Sequence, residues 1–99
     1  MHNKYHSRKP IKITEHAKQR LEERVGSHKG YKNWQHLVKT ARYSGINETY
    51  MTDEERNWCK KHIHNCPTRS QIRILNGFAF IFMGNKGHAR TLVTVISMA

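Results

Sequence analysis

Beyond Glu55 the chain has no carboxylate side chain. All seven acids (Glu15, Glu22, Glu23, Glu48, Asp53, Glu54, Glu55) come earlier, while Arg56, Lys60, Lys61, Arg69, Arg73, Lys86 and Arg90 follow. Mg²⁺ sites and two-metal hydrolysis need clustered Asp and Glu ligands, so this distribution argues against a divalent-metal nuclease. The early acids read better as helix-dipole partners and charge pairs one turn apart. Neither a metal nor an organic cofactor is expected. Long apolar runs are also missing: nothing approaches the ~18–20 residues of a membrane span, and the basic N-terminus leads into no signal-peptide core. Cysteine occurs only twice, which without a secretion signal points to reduced thiols in a cytoplasmic protein.

The length of 99 residues, 36% of them hydrophobic, allows one domain with a modest core. A doubly wound cofactor-binding sheet needs far more chain. What is abundant is positive charge: 18 Lys and Arg against seven acids, a formal net charge of +11. Such a field favours a polyanionic partner, most simply nucleic acid. The plainer alternatives are a basic domain kept soluble by its charge, or one that docks on an acidic protein.

The segment 1–10 carries Lys4, Arg8 and Lys9 with no acid and reads as a flexible basic arm, leaving 11–99 as the folded domain. Ile11 and Ile13 flank Lys12 in an alternation that suits an edge strand. Thr14 is a suitable N-cap for a helix over 15–25 that stops at Gly26, with Ala17, Leu21 and Val25 as its buried stripe. A second helix fits 33–43, with Trp34, Leu37, Val38 and Ala41 on one face. Thr52 and Glu55 form a capping-box pattern opening a third helix to about His64, with a weak apolar face of Trp58, Cys59 and Ile63. Strands are then expected over 71–75, 78–83 and 90–97, the first two joined by an Asn76-Gly77 turn. The expectation is an α+β fold, with N-terminal helices packed on one face of a C-terminal antiparallel β-meander. Phe78, Phe80 and Phe82 fall on one side of the middle strand and read as core rather than as a base-stacking platform.

RNA can be cut without metal when the ribose 2′-hydroxyl attacks the adjacent phosphorus. Histidine suits the two proton transfers, and Arg or Lys the phosphorane charge. Eight His and many Arg are present, and DNA lacks the attacking hydroxyl. His16, Arg20, Glu23 and Arg24 form a ladder along the first helix that can set a general base beside a phosphate-binding guanidinium. The same ladder can equally be a solvated helix face. Lys86, His88 and Arg90 cluster at a hairpin tip, where they can grip phosphate; His88 is the candidate second proton carrier. Thr91 and Thr94 are expected on opposite faces of the last strand by simple alternation. Cys59, His62, His64 and Cys66 suggest zinc ligands, but on a helix His64 lies away from the other three. Reduced cysteine on a half-buried helix is the simpler reading. Tyr5, Tyr31, Tyr43 and Tyr50, scattered among Lys and Arg, suit stacking on unpaired bases.

The stretch ITEHAKQRLEER (13–24), the late hairpin and the ending RTLVTVI (90–96) resemble small bacterial and phage domains that open on a His-Ala-x-x-Arg-x-x-x-Arg helix. Those domains are grouped with the RelE-like members of the barnase–EndoU–colicin–RelE superfamily of ribonucleases and toxins. The resemblance covers the two ends of the chain; 27–68 is not part of it. It implies N-terminal helices against an antiparallel sheet and a metal-independent endoribonuclease. His16 would then transfer protons and Arg20 would bind phosphate with Arg24 in support. Arg73 would face the scissile phosphate from the sheet, and Thr94 would position substrate.

Two functions are therefore expected in competition. One is a RelE-like ribonuclease or toxin acting on RNA, with an acidic antitoxin as partner. The other is a non-catalytic binder of nucleic acid or of a ribonucleoprotein, such as a phage inhibitor of a CRISPR-type host-defence complex. No membrane partner is expected.

Overall fold

The computed structural model describes residues 10–26, 33–63, 70–85 and 88–98, without the side chains of 85 and 88–90. A two-residue strand, β1 (Lys12–Ile13), leads into helix α1 (Glu15–Arg20). Thr14 starts that helix: its hydroxyl accepts the Ala17 N–H at 3.1 Å, and Glu15 occupies the electropositive first turn. The helix continues as a π-helical turn, Leu21–Val25, closed where Gly26 N–H donates to the Leu21 carbonyl at 2.9 Å. Ala17, Leu21 and Val25 are all buried, so the apolar stripe is as expected while the last turn is wider than an α-helix.

Helix α2 (Trp34–Ser44) begins at Asn33, whose side chain accepts the His36 N–H at 2.9 Å, and it buries Leu37, Val38 and Ala41. Helix α3 (Asp53–His62) has the full capping box: Glu55 N–H donates to Thr52 Oγ1 at 3.1 Å and Thr52 N–H to Glu55 Oε1 at 2.8 Å. Strands β2 (Ser70–Leu75), β3 (Phe78–Asn85) and β4 (His88–Ser97) complete the α+β fold. Asn76 and Gly77 both have positive φ, 53° and 77°, as the two-residue turn between right-twisted strands requires.

The sheet order is β1-β4-β3-β2. The consecutive strands β2, β3 and β4 are the expected antiparallel meander. The sheet as a whole is mixed, because β1 joins β4 in parallel through Lys12–Thr91 and Ile13–Leu92. Gln35 of α2 ties this edge to the helical layer, accepting the Ile11 N–H and donating to the Ile11 carbonyl.

The expectation that all helices share one sheet face is corrected. Phe80, Phe82, Leu92 and Val95 project into the main core with Leu21 and Val38, under α1 and α2. Ile72 and Ile74 alternate to the other side of β2, where they meet Met51 and Cys59 with Trp58, Ile63 and Met98. The narrow apolar face of α3 therefore covers the back of the sheet.

A β-bulge overturns a second expectation. Ile81 pairs with Thr94 and Phe82 with Leu92, leaving Val93 unmatched. The extra residue resets the alternation, so Leu92 and Val95, three positions apart, both enter the main core. Thr91 and Thr94 consequently lie on the same face, the one across from Met83 and Ile81.

The chain crosses from the α2 layer to β2 at Gly45. A Cβ there would lie 2.5 Å from the Ala41 carbonyl and 3.2 Å from Arg73 Cβ, so only glycine permits this approach. Ile46 then pairs with Ile74 as an isolated antiparallel bridge on the outer edge of β2.

Both sheet edges are closed largely by side chains. On β4, Thr14 Oγ1 donates to the Val93 carbonyl at 3.4 Å and Arg24 Nη1 to the Val95 carbonyl at 2.8 Å. On β2, Glu48 Oε2 accepts the Ile72 N–H at 3.3 Å, and Arg73 Nη1 donates to the Ile72 carbonyl at 2.9 Å.

Candidate nucleic-acid interface

His16, Arg20 and Arg24 do share α1 and its π-helical extension, but each has a different setting. His16 is exposed and lines an open depression with Glu15, Lys18, Gln19 and Glu22. Arg20 turns to Glu23, donating from Nη1 to its two oxygens at 3.0 and 3.3 Å. An exposed pair of this kind contributes under about 1 kcal/mol, so it leaves the guanidinium open to exchange for a phosphate. Arg24 is engaged with the β4 edge through the Val95 carbonyl, a structural contact that the helix ladder alone does not reveal.

Arg73 is elsewhere. It lies on β2, two strands away from β4, and its side chain is only 12% exposed. Its guanidinium donates to Glu48 Oε1 at 2.9 Å, to the Ile72 carbonyl at 2.9 Å and to Gln71 Oε1 at 3.0 Å. These partners anchor the 47–50 turn to the sheet. Thr94 projects to the side of the sheet away from α1. The fold therefore joins His16 and Arg20 on one helix but does not bring Arg73 and Thr94 to them.

Lys4, Arg8, Lys9 and Lys86 lie outside the described residues. His88 and Arg90 fall at the start of strand β4, and their side chains lie outside the described ones.

A surface that the motif reading passed over lies on α3. Trp58 and His62, one turn apart, stack with ring centroids 4.6 Å apart and planes inclined by 21°. His62 Nδ1 donates to the Trp58 carbonyl at 3.0 Å, which fixes the ring at a second point. Trp58 is half-buried against the Met51, Cys59 and Ile74 cluster, whereas His62 is exposed. Lys60 and Lys61 immediately precede His62 and occupy the last turn of the helix with it. Arg56 braces the other end, donating from Nη2 to the carbonyls of Glu48 and Thr49 at 3.2 and 3.1 Å. Tyr50, just before α3, is 78% exposed. The signal that could have found this surface is an aromatic pair at i, i+4 followed by lysines; the Cys and His spacing of the same segment drew attention to zinc instead.

Of that zinc pattern, Cys59 is buried and His62 is committed to Trp58, while His64 and Cys66 lie outside the described residues. Among the described residues no three His, Cys, Asp or Glu side chains gather as a metal site. Burial pushes the Cys59 thiol pKa up, with the negative charges of Glu48 and then Glu55 adding to the rise. A raised thiol pKa keeps the sulfur protonated and unreactive. Also among the described residues, no helix is long and apolar enough to cross a membrane. Comparison of the chain with protein-family models, with curated proteins and with solved structures found no match.

Proposed function

We propose that this chain is a small RNA-binding protein that holds its ligand through charge and does not itself cut it. The observation that carries this reading is the segregation of charge along α3. Asp53, Glu54 and Glu55 fill its first turn, Lys60, Lys61 and His62 fill its last, and no carboxylate side chain follows in the sequence. Of the acids that precede, Glu23 is paired with Arg20 and Glu48 with Arg73. A polyanion approaching the basic end of α3 therefore meets little competition from protein carboxylates. The resemblance of the chain ends to RelE-like domains directs the choice of polyanion to RNA.

What favours holding over cutting is the separation of the expected catalytic set. A general base and a phosphate ligand must converge on one phosphodiester. His16 stands on α1, Arg73 is engaged on β2 by Glu48, Gln71 and the Ile72 carbonyl, and Thr94 projects from the sheet face away from α1. A ribonucleoprotein offers the same backbone chemistry as free RNA and is bound in the same way.

The test is titration of a fluorescent single-stranded RNA in EDTA, with the strand examined on a denaturing gel afterwards. Tight binding with no cleavage is expected, unchanged in His16→Ala. With about five phosphate contacts, affinity falls roughly a hundredfold between 50 and 200 mM salt. Salt-independent or absent binding overturns the proposal. Strands ending in 2′,3′-cyclic phosphate, and lost in His16→Ala, would return the ribonuclease reading.

A further inference from the structure

Resting on that RNA-binding reading, we infer that the outer face of the His62 ring, stacked on Trp58 at the basic end of α3, is a seat for an unpaired RNA base. The ring is held by two contacts within its own helix. Its centroid lies 4.6 Å from that of Trp58, within the range of offset aromatic stacks, and its Nδ1 is tied to the Trp58 carbonyl at 3.0 Å. An imidazole fixed at two points loses little freedom when a third ring is added, so most of the stacking energy appears as affinity. The stack is rooted in the fold, because Trp58 rests on the cluster of Met51, Cys59 and Ile74 behind the sheet.

The hydrogen bond also sets the chemistry of the seat. A carbonyl can only accept, so the proton of the neutral His62 ring is on Nδ1 and Nε2 is left as the acceptor. That nitrogen suits a 2′-hydroxyl or an exocyclic amine, both donors carried by a single-stranded nucleotide. Lys60 and Lys61 share the last helical turn with His62, and their long side chains put ammonium groups within the span of the phosphates that flank a seated base. In a duplex the base faces are already covered by their neighbours, and only an unpaired or terminal base can extend the Trp58–His62 stack. A purely helix-stabilising pair one turn apart predicts no preference between strand and duplex.

The experiment uses the full chain and a twelve-residue oligoadenylate RNA. In a Trp34→Phe background Trp58 is the only indole, and its emission should be quenched as the strand binds. His62→Ala should weaken binding about 5- to 150-fold, the range of one lost base stack, and abolish the quench. His62→Phe, which keeps a ring but not the acceptor, should restore most of the affinity. The same strand in a duplex should compete poorly. Circular dichroism and urea midpoints near those of the parent show that His62→Ala is folded. If folded His62→Ala binds the strand as tightly as the parent, the base seat is overturned while the RNA-binding reading stands. If the parent binds the strand with no salt dependence or not at all, that reading fails with it.

Discussion

The two faces of the sheet are built to different standards. On the α1–α2 side, Phe80, Phe82, Leu92 and Val95 are fully buried with Ala17, Leu21 and Val38 around them. On the α3 side, among the described residues, Ile74 clusters with Met51 and Cys59, Ala79 and Ile81 of β3 are buried on the same face, and Trp58, Ile63, Ile72 and Met98 are half-buried. Met83 at the far end of the same face is 39% exposed. Area removed from water drives folding, so the front face holds the domain together and the back face adds a smaller increment. The difference also has a functional side. The element with the thinnest apolar face is the one that presents stacked rings and lysines, since a helix that buries less has more surface to offer a ligand.

The contrast is broken most directly by paired truncations. Phe82→Ala on the front should cost about 3–5 kcal/mol, close to the whole stability of a small domain, whereas Ile72→Ala on the back should cost about 1–2 kcal/mol. Urea titration measures both, and equal losses would erase the distinction. The link between the layers comes next. Gly45→Ala places a methyl 2.5 Å from the Ala41 carbonyl, and forcing α2 from β2 should cost about 1–3 kcal/mol in the same titration. A neutral result would mean that the crossing between the two layers has slack.

The smallest expected effect sharpens the description of the back face. The folded Cys59 thiol holds its proton to a higher pH than the unfolded one, because burial, then Glu48 and Glu55, disfavour the thiolate. Its contribution is intact below the unfolded-state pKa. It declines as pH rises through that value towards the folded one, since the unfolded chain then binds fewer protons. Urea midpoints of the parent should therefore fall more steeply than those of Cys59→Ala above pH ~8.5. Identical profiles would show that the α3 layer leaves the thiol as it is in water.

Local features were largely legible in the sequence. Thr14 and Asn33 start helices, Thr52 with Glu55 forms the capping box, and Asn76-Gly77 turns the hairpin, because each depends on residues within a few positions. The apolar stripes of α1 and α2 were equally clear. What escaped depends on distant partners or on a break in periodicity. The parallel pairing of Lys12 with Thr91 joins the two ends of the domain, and Arg73 finds Glu48 across 25 residues. Val93 breaks the period of two, so a rule correct for a regular strand put Thr91 and Thr94 on opposite faces. A weak stripe of Trp58, Cys59 and Ile63 identifies a buried side of α3 without saying which face of the sheet it covers. Of the candidate site, His16 and Arg20 were placed correctly on one helix, but Arg24 and Arg73 had structural partners that composition does not disclose.

The charged closure of the sheet edges bears on how copies of this molecule meet. A bare edge strand is a template for another strand, and addition of strands in sequence leads to ribbons and fibres. Here a neighbour approaching β4 finds the Val93 and Val95 carbonyls already occupied by Thr14 and Arg24. One approaching β2 finds Ile46 in the pairing position and the Ile72 backbone held by Glu48 and Arg73. Arg24 and Arg73 thus act as gatekeepers. Two of the arginines expected to contact phosphate are the ones that keep the sheet from being extended by its own kind.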